Sequence, residues 1–414
     1  MSRLEELLKK LCPNGVEYKK LGDLGTFYNG LTGKSKTDFT DGNAIFISYM
    51  NVYKNMTIDI HTPDRVKIGK NEKQHLIEYG DVLFTGSSET PDECGICSVL
   101  TEVTTEPLYL NSFCFGFRFN NKDAMLPDYS KYVFADNYSR KQICATASGV
   151  TRFNVSKKLM ERVEIPIPPL QIQREIVRIL DTFTELTAEL TAELTARKLQ
   201  YAYYRDQLIL NCGYERVALK KIGTEFYRGS GVKRTDVTSD GIECVRYGEI
   251  YTSYGVHFDK CISHTSLDNV SSPKYFNHGA VLFAITGESV EDIAKSTVYL
   301  GNNQCIAGGD IVVMKHNQNP KYIGYALATT DAIRQKGEGK IKSKVVHSNV
   351  PSIEKIEIPL PPLAVQNEIA EKLDVFSEIT SDLEKGLPKE IELRTKQYEY
   401  YRDKLLNFKR KDDA

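Results

Sequence analysis

One block of this chain is written twice. Ile165-Pro-Ile-Pro-Pro-Leu170 leads, about thirty residues on, to Tyr201-Ala-Tyr-Tyr-Arg-Asp-Gln-Leu208, and Ile358-Pro-Leu-Pro-Pro-Leu363 leads in the same way to Tyr398-Glu-Tyr-Tyr-Arg-Asp-Lys-Leu405. A sequence repeated at this distance has to fold as one half made twice, so the repeat constrains the fold before composition does. Further landmarks recur in the same order. Val16-Glu-Tyr-Lys-Lys-Leu-Gly22 is echoed by Arg216-Val-Ala-Leu-Lys-Lys-Ile-Gly223, Thr26-Phe-Tyr-Asn-Gly30 by Glu225-Phe-Tyr-Arg-Gly229, and Gly80-Asp-Val-Leu-Phe84 by Gly279-Ala-Val-Leu-Phe283.

Each half reads as a lobe, a Pro-rich elbow and a long helix. Ala44-Ile-Phe-Ile-Ser-Tyr49, Phe113-Cys-Phe-Gly-Phe-Arg-Phe119 and Asp310-Ile-Val-Val-Met314 are short β-branched or aromatic runs bounded by Gly, Asn and Asp, so the lobes are β-rich. The elbows cannot be helix interior, and Pro169 and Pro362 suit a first helical turn, where the missing N–H costs nothing. Beyond the first elbow Ile172, Ile176, Ile179, Phe183, Leu186 and Leu190 recur at steps of four and three, which is a coiled-coil seam. Val365, Ile369, Leu373 and Phe376 open its counterpart, and the two stripes are expected to pack antiparallel.

The two helices differ in detail. The first contains Thr187-Ala-Glu-Leu190 followed by Thr191-Ala-Glu-Leu194. Each four-residue unit adds about 6 Å of helix and about 40° of rotation. In the second, Gly386 can end one helix and Pro388 begin another, which predicts a break or kink near 386–388. The stretch from Leu4 to Gly22 resembles that from Gln207 to Gly223, so the N-terminus supplies what should follow the C-terminal helix, and the chain ends should meet. The expected fold class is α+β: two β-rich lobes related by a pseudo-two-fold repeat, separated by two long antiparallel coiled-coil helices. The segments are a first lobe at 1–164, a central helix at 165–211, a second lobe at 212–357 and a C-terminal helix at 358–414.

Composition narrows the class of protein. A chain of 414 residues is too long for one core and suits two lobes. Its nine cysteines are odd in number and scattered, which favours reduced thiols in the cytoplasm over a disulfide framework. No apolar run is long enough for a membrane span. The formal net charge of −1 lacks the basic excess usual in an isolated DNA-binding domain. Cations for phosphate contacts would have to be concentrated on one face, or come from partner subunits.

The elbows, the Tyr-x-Tyr-Tyr-Arg-Asp endings, the duplicated lobe and the Thr-Ala-Glu-Leu repeat together resemble the specificity subunit of Type I restriction–modification enzymes, over essentially the whole chain. The resemblance implies that each lobe is a target-recognition domain reading one half of a bipartite double-stranded DNA site. The helices would then set the spacer and dock two methyltransferase subunits, with restriction/translocase subunits joining for cleavage. A helix of about 40 residues is about 60 Å long, which suits lobes in major grooves roughly one duplex turn apart. The resemblance implies no cofactor in this chain, with S-adenosylmethionine, ATP and Mg held by the partners.

Candidate contacts follow from the repeat. Gly30-Leu-Thr-Gly-Lys-Ser-Lys36 and Arg228-Gly-Ser-Gly-Val-Lys-Arg234 are flexible, basic and hydroxyl-bearing, able to follow phosphates or reach guanine edges. From them come Thr32, Lys34, Ser35 and Lys36, and Arg228, Lys233 and Arg234. Before the two elbows lie Arg152 and Asn154, and Lys340, Lys342 and Lys344; after equivalent strands lie Thr85 and Ser87, and Thr286. Each of these could equally be a solvated turn. Tyr201, Tyr203, Tyr204, Arg205, Tyr398, Tyr400, Tyr401 and Arg402 are either partner-docking residues or packing at the base of the helices. Cys94-Gly-Ile-Cys97 lacks a second pair at zinc-finger spacing, so no metal site is expected. No cofactor loop, amino-methyltransferase motif or nuclease cluster is found, which points to a non-catalytic subunit. A solitary methyltransferase or nuclease with unrecognised motifs, and a scaffold with no DNA role, remain the alternatives.

Overall fold

The computed structural model describes residues 3–340 and 345–411, with the backbone alone over 378–385. The chain divides into two compact units: Met1–Leu190 together with Lys389–Ala414, and Thr191–Pro388. Both cuts fall inside a long helix. Each unit is therefore a lobe with the start of the helix that follows it and the end of the other helix.

In the first unit, a four-stranded antiparallel sheet runs in the order Gly25–Asn29, Cys114–Phe119, Val82–Thr85, Cys97–Val99. A second sheet runs Arg65–Val66, Ala44–Ile47, Leu108–Leu110, Leu76–Ile77, its middle pair parallel. The hairpin Ala147–Gly149 with Phe153–Val155 adds Ser87–Ser88 as a third strand. Phe84, Phe115, Phe117, Tyr129 and Tyr132 pack with Ile172, Ile176 and Leu180 in one core. The first turns of the helix thus bury their stripe against their own lobe. Leu180 takes a buried place the heptad reading did not give it, while Ile179, Phe183, Leu186 and Leu190 are only half-buried. A lobe-facing stripe is wider than a two-helix seam, which is why steps of four dominate here.

The second unit repeats this plan with five-stranded sheets. One runs Gly223–Arg228, Ile311–His316, Val281–Ala284, Ser296–Tyr299, His257–Phe258; the other runs Val237–Thr238, Ser263–Thr265, Ile242–Val245, Cys305–Ala307, Tyr275–Phe276. Corresponding polar fasteners recur. Gln173 and Gln366 each accept from a backbone N–H at a helix start, Leu126 and Asn319 respectively. Gln142 and Gln335 each exchange two hydrogen bonds with the backbone of Glu164 and Glu357.

Structural correspondence moves one sequence match. By letters, Leu21-Gly22 equals Ile222-Gly223. In space, Leu21 and Leu219 are equivalent, because their N–H groups donate to the matching carbonyls of Val163 and Ile356. The second lobe has one more residue than the first between this leucine and the following Phe27 or Phe226, and it is absorbed at a register shift between Gly223 and Glu225.

The long helices span Leu170–Leu210 and Leu363–Leu406. In the first unit Phe183 stacks on Tyr401 at 5.3 Å, and in the second Tyr204 stacks on Phe376 at 5.7 Å. An early residue of one helix thus meets a late residue of the other in both units, the antiparallel order. The second helix is continuous through Gly386 with Pro388 inside it, so it does not end at Gly386 as one reading of the sequence had it. Pro388 has no N–H for the helical bond to residue 384, a loss neighbouring turns can absorb. The chain ends meet within the first unit. The Val16 N–H donates to Lys409 O at 2.8 Å, and the Lys411 N–H to Val16 O at 3.0 Å.

Candidate nucleic-acid interface

Glycine roots both basic loops. A Cβ on Gly30 or Gly229 would fall on the carbonyl oxygen of Asn111 or Gly308, so the chain passes too close for any side chain there. From that root the first loop turns Lys34 inward. Its ammonium donates to Lys67 O and to Glu72 Oε2, both at 2.6 Å, and its side chain is 9% exposed. The Gly69 N–H, then Lys34 and Gln74, hold the Glu72 carboxyl down at about 2. Lys34 is thus a brace, correcting its expected place as a DNA contact. Thr32 is tied through its backbone to Gln74, and the Ser35 hydroxyl donates to Asp38 across a short helical turn. Lys36 is exposed, with no ion-pair partner among the described residues. In the second unit Arg228 donates to Gly309 O and Asp310 Oδ1 at 2.5 and 2.6 Å, while Lys233 and Arg234 are exposed.

The remaining candidates meet at a turn between sheets. Asn154 pairs with Ser87 in register, and the Arg152 Nε donates to Ser87 Oγ at 3.0 Å. The Arg152 guanidinium also lies 5.7 Å from the ring centre of Phe113, which is 60% exposed. Gly86 N–H donates to Phe113 O, fixing this turn beside the hairpin. Arginine, asparagine and an aromatic face on one exposed ridge are groups that can contact phosphate, base edge and base plane. Thr85, by contrast, is fully buried in its sheet. It ends a strand whose side chains face two cores, so its hydroxyl is not available to a groove.

The equivalent ridge in the second unit carries other chemistry. Thr286 pairs with His347, and their side chains approach to 3.2 Å. Ile285 N–H donates to Asp310 O as Gly86 does to Phe113, so Asp310 stands where the first lobe has Phe113. His347 stands in the place of Asn154 and Val345 in that of Arg152. Lys340 is half-exposed just after the helix Thr330–Gly337, and Lys342 and Lys344 lie outside the described residues. Sequence reasoning missed Phe113 and His347. Phe113 reads as strand by its alternation with Phe115, but the strand begins at Cys114 and the preceding Asn111 turns the ring outward. His347 carried no local signal.

The Tyr-x-Tyr-Tyr-Arg-Asp motif is mostly occupied within its own unit. Arg205, 8% exposed, pairs with Asp206, and Asp206 Oδ2 accepts from the Thr330 backbone N–H at 3.1 Å and from its hydroxyl. Arg402 pairs with Asp403, which accepts from the Asn137 backbone N–H at 3.2 Å and from its side chain. Thr330 and Asn137 each open a lobe helix, so the aspartates clamp helix N-termini. Tyr201 and Tyr398 pack on the lobe cores, and Tyr204 and Tyr401 on the facing helix. All six have packing or ion-pair partners within their own unit, although Tyr204 is also 43% exposed. Tyr203 and Tyr400, of the same motifs, are each 60% exposed.

The repeated organisation of the chain is matched among known proteins. The family described as type I restriction modification DNA specificity domain matches residues 13–197 and 240–393. The chain belongs to this family. It is similar to the type I restriction enzyme EcoR124I/EcoR124II specificity subunit of Escherichia coli, 32% identical over 268 residues, which are 61% of this chain and 65% of that one. The match thus spans a little under two thirds of that relative. A putative type I restriction enzyme specificity subunit of Haemophilus influenzae is 30% identical over 276 residues, covering 63% of this chain and 68% of its own. A chain solved in work on complex assembly and conformational transition of the type I R-M system shares the fold at a TM-score of 0.59, with 15% identity and coverage of 95% and 98%. Among the described residues, no helix is long and apolar enough to cross a membrane.

Proposed function

We propose that this chain is the sequence-reading, non-catalytic subunit of a type I restriction–modification complex working in the cytoplasm. One observation carries the reading: two matching frames present different side chains at corresponding positions, all of them exposed except the half-exposed Asp310. Phe113, Arg152 and Asn154 on one ridge answer to Asp310, Val345 and His347 on the other. Two such ridges suit two unlike half-sites of a bipartite DNA target. Base-edge contacts come from the ridges, and Lys36, Lys233 and Arg234 contact phosphate beside them. With a net charge of −1, this chain supplies few of the phosphate contacts, and its methyltransferase partners supply the rest.

Those two methyltransferase subunits hold S-adenosylmethionine and act on an extruded base. Restriction/translocase subunits bring ATP and Mg for cleavage. Of the motif residues, the exposed Tyr203 and Tyr400 are the docking positions we assign first on the helices, with Tyr204 exposed beside them on the first helix.

Co-expression with the host methyltransferase tests the reading. A complex of two methyltransferases and one copy of this chain, methylating a split site, is the expected result, with the lone chain inactive. A lone chain that transfers methyl groups, or no complex at all, would overturn it. Exchanging Val16–Glu164 for another lobe should alter one half-site and leave the other unchanged.

A further inference from the structure

The second lobe holds a cluster that DNA reading does not use. The ligand atoms of Glu243, Cys261 and Cys305 all lie within 4.8 Å of one another. Both cysteines are buried and Glu243 is half-buried. The Cys305 thiol donates to Glu243 Oε2 at 3.5 Å, and the Asn303 amide donates to the same oxygen at 2.9 Å. The backbone dictates the convergence. Strand Ile242–Val245 lies beside Cys305–Ala307 in parallel register, with Cys244 opposite Ile306, which sets Glu243 next to Cys305 on the other face. On its other side Glu243 stands directly opposite His264, in the strand that Cys261 leads into.

Packing alone does not account for these residues. The corresponding places in the first lobe are Ile45 and Leu108, adjacent in the same parallel register and buried in an aliphatic core. A lobe on this frame is thus stable with two hydrocarbons there. A carboxylate and a thiol in their stead carry a desolvation cost that the Asn303 amide and the weak thiol hydrogen bond offset only in part, since both buried thiols remain poorly partnered. A divalent cation offsets it.

We propose that Glu243, Cys261 and Cys305 form a binding site for a thiophilic divalent cation, Zn2+ being the metal whose chemistry fits, in the second lobe. Cysteine thiolates and a glutamate carboxylate are each ordinary zinc ligands, and three protein donors leave a fourth position open. Tetrahedral bonds of about 2.3 Å to sulfur place ligand atoms about 3.8 Å apart, within reach by small side-chain rotations. The fourth position falls to water or to the imidazole of His264. Binding displaces both thiol protons to solvent, so affinity rises with pH. The cation ties the segment before Ser263 to the strand pair beneath it, stiffening the sheet that leads into Arg246 and Gly308. This inference is independent of what the lobe reads. The three ligands lie far apart in sequence, without the close spacing of zinc motifs.

The test uses the full chain, purified without a metal-binding tag and stripped with chelator. Titration with Zn2+ against a chromophoric chelator should give one tight equivalent, and Co2+ should give a thiolate-to-cobalt charge-transfer band. Cys261→Ser and Cys305→Ser should weaken binding by more than about tenfold and remove the band. Glu243→Ile combined with Cys305→Leu restores the first lobe's apolar pair, so it should fold, by circular dichroism, and bind no metal. Cys94→Ser with Cys97→Ser should keep the band. A folded wild-type chain with no stoichiometric metal would overturn the proposal. So would a band that survives the Ile/Leu variant, or a Cys261–Cys305 disulfide trapped by alkylation inside cells.

Discussion

Asp136 and Lys336 are buried ionisable groups whose places in the opposite lobe are neutral. Asp136 caps the helix Asn137–Cys144, where the second lobe uses Thr329 to cap Thr330–Gly337. Lys336 donates to Ser296 Oγ and Leu327 O, where the first lobe has the fully buried Ile143. Burial raises the Asp136 carboxyl from 3.8 to about 6, so the folded state holds its proton longer, and stability falls as pH rises across that interval. Burial, with Lys295 nearby, lowers Lys336 from 10.5 to about 7. The unfolded chain then binds more protons, and stability rises with pH between those values. Asp136→Thr should therefore remove the acid-side slope and stabilise at pH 7 by on the order of 2 kcal/mol. Lys336→Ile should remove the alkaline slope and stabilise by about 1–3 kcal/mol at pH 7. Urea midpoints across pH check both, and slopes unchanged in the variants would refute the assignments.

At the scale of elements, the long helices hold their lobes through repeated polar contacts as well as apolar ones. Asp181 accepts from Lys131 and Tyr132 in the first unit, and Asp374 from Lys321 and Tyr325 in the second. Farther along, Asp206 and Asp403 clamp the lobe helices that begin at Thr330 and Asn137. Their arginine neighbours, Arg205 and Arg402, are consumed in holding the carboxylates. Asp206→Ala should cost about 1–2 kcal/mol through the lost helix-end bonds. Its effect should be local: faster amide exchange over Thr330–Gly337, with Asn137–Cys144 unaffected, and the reverse for Asp403→Ala. Equal loosening of both helices in either variant would refute the clamp.

For the whole molecule, the spacer prediction belongs to the first helix, which is unbroken from Leu170 to Leu210 and carries the Thr-Ala-Glu-Leu units. Deleting Thr191–Leu194 removes about 6 Å of rise and about 40° of rotation while keeping the helix intact. The methyltransferase complex should then prefer a target with a shorter spacer, by about one base pair. Methylation of a set of targets differing only in spacer length measures this, and an unchanged preference would defeat the ruler reading. The meeting of Val16 with Lys409 and Arg410 gives the first unit the helix ending that the second receives from the preceding chain.

The repeat, the elbows and the long helices were legible because periodicity and proline chemistry are local properties of a chain. The same locality made the basic loops visible while hiding their use. Whether Lys34 faces a phosphate or Glu72 depends on a carboxylate 38 residues away, and whether Thr85 is wet depends on which sheet covers it. Phe113 illustrates the limit from the other side, since its alternation is that of a core residue and one turn exposes it. Glu243, Cys261 and Cys305 share no spacing and meet only through strand register. Sequence alone determined that this protein is one half made twice around paired helices, because that information is periodic. Only the tertiary structure decided which side chains are spent inside and which remain to be read against a partner, because burial is set by contacts between distant segments.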